Sequence, residues 1–166
     1  AATLTFANFI FYFFVNSQTA FIADVNYILA SRSDCLEFVG IFRKRTADQV
    51  IKDGFTTGCS DIALVFIALA RAKNIPTKYV EAIRRKWIEN GQEDLIEGHV
   101  FAEVYLNNKW HIIDPTEASL KFWYDRWVIY AEGLDSWDIG IHNFDELKQK
   151  FLDFRSQSMG NKKDSG

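Results

Sequence analysis

Reactive side chains are scarce in this sequence. Its 166 residues include two cysteines, three histidines, two prolines and one methionine, and each shortage excludes something. Two cysteines cannot build a disulfide scaffold, and with three histidines they cannot fill a multi-zinc module. The 19 basic and 22 acidic side chains leave a net charge of −3. Without a long basic run, the chain lacks the electrostatic footprint of a nucleic-acid binder. No stretch reaches the roughly 18 consecutive apolar residues of a membrane span. The closest approach, Leu4 to Val15, contains Asn8 and ends at Asn16-Ser17-Gln18. We read it as a buried N-terminal helix or strand; the alternative, a signal-peptide h-region, lacks a preceding basic n-region. The compartment stays open, with the cytoplasm favoured over export.

Apolar and aromatic residues are plentiful, at 48% and 16% of the chain. That balance suits one folded domain, able to bury about two thirds of its unfolded surface. No repeat or linker interrupts it, so a single domain is expected over residues 1–155 and a disordered polar tail over 156–166. Residues 19–30 suit a helix, with Phe21, Val25 and Ile28 at helical spacing. The run Arg43-Lys44-Arg45 reads as a solvated basic face. Thr46, with Gln49 three residues on, forms a capping box that opens a short helix to Lys52.

The segment Gly58-Cys59-Ser60-Asp61 runs directly into Ile62-Ala63-Leu64-Val65-Phe66-Ile67-Ala68-Leu69-Ala70. Apolar on every side, this stretch predicts a central buried helix that ends near Arg71, Lys73 and Asn74-Ile75-Pro76. Cys59 then sits in the first turn. There the unpaired backbone N–H groups and the macrodipole stabilise a thiolate and raise the nucleophilic fraction. Gly58 allows close approach of the chain, and the N–H of Cys59 can help bind an oxyanion. The plainer alternative makes Cys59 a small buried hydrophobe. Cys35, with neither a preceding glycine nor a following apolar helix, is assigned to the core; a Cys35–Cys59 disulfide in an exported structural protein is a rival arrangement.

Farther along, Thr77 to Ile88 reads as a strand stopped by Asn90-Gly91. Gly98 to Leu106, then Asn107-Asn108, then Lys109 to Thr116 predict a tight hairpin, because asparagine tolerates positive φ. If Leu106 pairs with Lys109, Phe101 faces Asp114. His99 and Asp114 then share one face of the sheet as diagonal neighbours, about 7–8 Å apart at the backbone. A carboxylate that engages one imidazole nitrogen fixes the tautomer and leaves the other nitrogen free to take a proton from a thiol. His111 falls on the opposite face and His142 in a loop, so both are read as structural. Glu103 shares the His99 face and is read as a sheet anchor. Phe122 to Tyr130 suggests a further strand, with Trp123 and Trp127 covering the core. Asn143 and Glu146 open a last helix that carries Phe144, Leu147, Phe151 and Phe154 on one stripe.

Together these blocks resemble the transglutaminase-like core of the papain-like cysteine enzymes. The resemblance rests on Gly58-Cys59-Ser60-Asp61 with its apolar helix and Ile75-Pro76 exit, on Gly98-His99 with Glu103-Val104-Tyr105, and on Trp110 with Ile113-Asp114-Pro115-Thr116. It covers roughly residues 46 to 118, and the order and spacing of three blocks are far more specific than any one of them. It implies an α+β fold in which a buried helix bearing Cys59 packs on an antiparallel sheet bearing His99 and Asp114. It also implies roles: Cys59 as nucleophile, His99 as general base and acid, Asp114 as orienter. No metal or organic cofactor is implied.

The implied chemistry is acyl transfer on an amide-bearing protein or peptide through a thioester. Hydrolysis by a peptidase, isopeptidase or deamidase is favoured; the alternatives are crosslinking of glutamine to an amine and a non-catalytic interaction module. Two departures stand out. Phe101 occupies the position, two residues after the histidine, where the family usually has tryptophan. No motif marks the side-chain oxyanion donor, for which Asn16, Gln18, Asn26 and Gln49 are all chemically able. The oligomeric state is not legible.

Overall fold

The computed structural model describes residues 39–92, 96–117 and 122–163. The N-terminal apolar segment, the helix expected over 19–30, Cys35 and the candidate donors Asn16, Gln18 and Asn26 lie outside the described residues.

The first complete helix, α1 (Ala47–Asp53), starts from the capping box read in the sequence. The Thr46 hydroxyl accepts from the Gln49 N–H at 3.3 Å, and Gln49 Oε1 accepts from the Thr46 N–H at 2.8 Å. Next comes α2 (Cys59–Ala72). Its Ala63, Phe66, Ile67 and Ala70 are buried, whereas Ile62, Leu64, Val65 and Leu69 are half-buried, so α2 is not enclosed on every side as its composition suggested.

The chain then enters β1 (Thr77–Arg84) and turns into a short helix, α3 (Arg85–Asn90). The strand expected to reach Ile88 therefore ends four residues early. Its neighbours stop there, with Ile83 opposite Gly98 on one side and Arg84 opposite Trp127 on the other. Beyond that point no ladder partner remains among the described residues, and coiling into α3 buries Trp87 and Ile88 instead. Gly91, read as part of the turn that stops the strand, is the left-handed residue that ends α3, with φ 69°.

The hairpin of β2 (Gly98–Leu106) and β3 (Lys109–Ile113) has the register set by its turn: Leu106 opposite Lys109 and Ala102 opposite Ile113. Asn107 and Asn108 both take positive φ, 51° and 62°, as a two-residue hairpin turn demands. The last strand is β4 (Trp127–Gly133), and the sheet is antiparallel in the order β3-β2-β1-β4. β4 starts five residues later than expected. Trp127 is buried, but Trp123 lies outside the strand and is 45% exposed, so it does not cover the core.

Strand alternation divides the core in two. On one face Ala63, Phe66 and Ile67 of α2 pack on Tyr79, Val100, Ala102, Val104 and Ile113. On the other, Val80, Ala82, Phe101 and Trp127 gather with Ile112, Phe122 and Ile129. The final helix, α4 (Phe144–Lys163), is capped by Asn143, whose Oδ1 accepts from the Glu146 N–H at 2.9 Å. It continues past Ser156, where composition placed the start of the tail. Its Phe151 meets Ile83, Trp87 and Ile88 and approaches so closely that a Cβ at Gly98 would lie 2.5 Å from its ring. Phe144 stands 45% exposed at the helix start, against Phe42.

The basic run is not a solvated face. The Arg43 guanidinium is buried in an ion pair with Glu81, and Arg45 is buried against Asp61 at 2.6 Å. Only Lys44 faces outward. The run is taken inside because these carboxylates, too far along the sequence to be paired from its pattern, are themselves buried and need countercharges.

Candidate active site

The hairpin carries out the alignment that strand parity requires. His99, the second residue of β2, and Asp114, just past β3, meet across the two strands with Nε2 2.8 Å from Oδ2. The other carboxylate oxygen, Oδ1, accepts from the backbone N–H of Thr116 at 2.9 Å and of Glu117 at 3.3 Å. Asp114 is 5% exposed. Both of its oxygens are therefore committed, one to the turn behind it and one to the imidazole.

Aromatic rings fix the plane of that imidazole. Phe101 meets it edge-on at 4.7 Å between centroids, and Trp127 stacks on it at 5.5 Å. Sequence reasoning assigned Trp127 to packing alone. No local signal could have revealed its second role, because the contact depends on β4 lying two strands away from β2 in the sheet.

Cys59 is the first residue of α2, half-buried against the helix-side core, with a free thiol. Its thiol lies close enough to the His99 imidazole to favour the charged form of that ring, so helix and sheet converge at the start of β2. With Nε2 engaged by Asp114, Nδ1 is the nitrogen left to exchange a proton with the thiol. Burial works against a charged imidazole, but the hydrogen bond to Asp114, its negative charge and the neighbouring Cys59 side chain outweigh it. They raise the His99 pKa from 6.5 to about 10. An imidazolium held this way can both stabilise an anionic sulfur and deliver a proton.

A cleft of about 350 Å³ opens beside the His99–Asp114 pair, lined by these two and Phe101 together with Trp123, Trp127, Glu97, Glu117 and Arg126; Cys59 is not in its lining. Gln49 is exposed, with its side-chain oxygen engaged in the α1 cap, and is not part of this arrangement. Neither is Glu103, whose carboxylate bonds Lys78 at 3.0 Å, while the same ammonium reaches Glu132 at 2.9 Å; it anchors three strands. His142 bonds Glu146 at 2.7 Å at the start of α4, and His111 lies on β3, outside the Cys59–His99–Asp114 group. Among the described residues, no helix is long and apolar enough to cross a membrane.

Comparison with known proteins bears on this arrangement. The family model described as the transglutaminase-like superfamily matches residues 14–115, a span that includes Cys59, His99 and Asp114. Among solved structures, a candidate cysteine protease from Cytophaga hutchinsonii is 25% identical, with a TM-score of 0.46 over 73% of this chain. The match spans 38% of the length of that protein. No curated protein matches the chain.

Proposed function

This chain belongs to the transglutaminase-like superfamily, a membership that supports cysteine-dependent catalysis in general, and we propose that it transfers acyl groups from amides through Cys59, His99 and Asp114. One observation carries the reading: His99 bonds the buried carboxylate of Asp114 at 2.8 Å through Nε2, and the Cys59 thiol at the start of α2 lies near enough to act on the charge of the same imidazole.

The steps follow from the geometry. The Cys59 sulfur attacks the amide carbonyl carbon, forming the C–S bond and placing the carbonyl electron pair on oxygen. The N–H of Cys59, at the first position of α2, is free of helix bonding and is suited to donate a hydrogen bond to that oxyanion. When the oxyanion collapses, the C–N bond breaks and His99 gives its proton to the leaving amine, so that a thioester remains. A second nucleophile then loses a proton to His99, attacks the thioester carbon and expels the thiolate. Asp114 holds the imidazole in one tautomer and orientation throughout.

Water is the favoured second nucleophile. Glu97, Glu117 and Arg126 rim the cleft beside His99, a charged entrance that favours the approach of water, whereas efficient amine transfer needs water excluded. The reading is therefore hydrolysis of a peptide, isopeptide or side-chain amide. Activity profiling on a peptide library, with and without an added primary amine, tests it. New carboxylates in both arms support hydrolysis, and amine adducts would redirect the reading to transamidation. No Cys59-dependent turnover in either arm would leave an interaction module on this fold.

A further inference from the structure

We propose that Arg45 and Asp61 are a positioning pair for the nucleophile, holding the Thr57–Cys59 turn so that the thiol stays directed at His99. The proposal rests on the reading of Cys59 as nucleophile.

Gly58 is the N-cap of α2, with φ 142° and no side chain to close the first turn. A glycine in that region is the least restrained residue the chain could place beside Cys59. Something else must fix the turn, and Asp61 does so. Its Oδ2 accepts three donors: the Thr57 N–H at 2.8 Å, the Thr57 hydroxyl at 2.8 Å, and Arg45 Nη2 at 2.6 Å. The first two span Gly58 and Cys59, tying the residue before the glycine to the first turn of the helix.

Arg45 completes the device. Its side chain is 7% exposed and that of Asp61 3% exposed, so each charge depends on the other. The second Arg45 nitrogen, Nη1, reaches Asp53 at 3.0 Å, and the guanidinium lies 4.3 Å from the Phe55 ring centroid. It therefore clamps the end of α1 and both sides of the loop leading to Cys59. A buried ion pair contributes little net stability compared with apolar residues of the same volume. What this pair provides is one defined loop geometry, two residues from the sulfur.

The test compares Asp61→Asn, Arg45→Met and Arg45→Lys with the unaltered chain. Three quantities are measured: the iodoacetamide alkylation rate of Cys59 near neutral pH, kcat and KM on a peptide found by profiling, and Tm. Asp61→Asn and Arg45→Met are expected to slow alkylation and lower kcat by on the order of tenfold to a hundredfold, the cost of a nucleophile displaced by about 1 Å, with KM unchanged. Arg45→Lys, which restores the charge, is expected to recover part of both. Variants that lose Tm while Cys59 reacts at the unaltered rate would overturn the proposal. Should Asp61→Asn fail to fold, Thr57→Val removes a single one of the three bonds, and an unaltered alkylation rate in that folded variant would overturn it equally. If the thiol of the unaltered chain is no more reactive than free cysteine, the nucleophile reading itself fails, and the pair's role with it. Equal activation in all chains defeats the positioning pair alone.

Discussion

Replacing Asp114 by asparagine removes one charge and almost no volume, so its effect can be worked out from the site. Oδ1 of the side chain accepts from the N–H groups of Thr116 and Glu117. An asparagine must turn its oxygen toward the same two donors, which aims its NH₂ at His99 Nε2. The imidazole would then carry its proton on Nδ1 and could not accept one from the sulfur. The charge is lost as well. A rise from 6.5 to about 10 corresponds to ~5 kcal/mol in favour of the imidazolium, at about 1.4 kcal/mol per pH unit. Asp114 and Cys59 share this preference, so loss of the carboxylate removes a substantial part of it. With the tautomer error added, kcat should fall on the order of 10³- to 10⁴-fold. Progress curves on the best peptide from the library measure this, with circular dichroism to check the fold. A folded Asp114→Asn variant retaining more than a tenth of the activity would refute the reasoning and remove Asp114 from the mechanism.

Activity should be bell-shaped in pH, with the alkaline limb governed by His99, whose proton is needed for the leaving amine. Because the His99 pKa is raised to about 10, that limb should lie well above 6.5; a limb centred near 6.5 would contradict the ion-paired site. The same displacement has a stability consequence. A raised histidine pKa stabilises the fold fully below about 6.5, and the contribution is lost as pH rises through about 10. Thermal melts should therefore show the gap between the unaltered chain and Asp114→Asn narrowing from pH 7 to pH 10. Away from the site, Arg43→Met strands the Glu81 carboxylate, 1% exposed and otherwise bonded to Tyr130 at 3.2 Å. Urea denaturation should register a loss of about 3–5 kcal/mol, most of it recovered when Glu81→Leu is added.

The elements that sequence reasoning located are those whose signals are local. The Asn107-Asn108 turn alone fixes the β2–β3 register, and register decides that His99 and Asp114 share a face. The Thr46–Gln49 capping box and the glycine before Cys59 likewise set helix starts within a few residues. What was missed depends on partners distant in the chain. Nothing between Thr77 and Ile88 says where β2 and β4 run out, so a strand former such as Ile88 joins a helix. The ion pairs of Arg43 with Glu81 and Arg45 with Asp61 turn an apparent surface run into interior structure. Trp127 was placed in the core, but its stacking on the imidazole became visible only once β4 had its position. Asp61 stood in the quoted Gly58-Cys59-Ser60-Asp61 motif, yet its grip on Thr57 needs coordinates.

The most direct measurement of the central claim is the iodoacetamide reactivity of Cys59 in the native protein near neutral pH, read by peptide mapping and compared with a free cysteine and with a His99→Ala variant. The expected result is a thiol that reacts much faster than free cysteine and loses that advantage without His99. A native Cys59 no faster than free cysteine, or equally fast in His99→Ala, would contradict it.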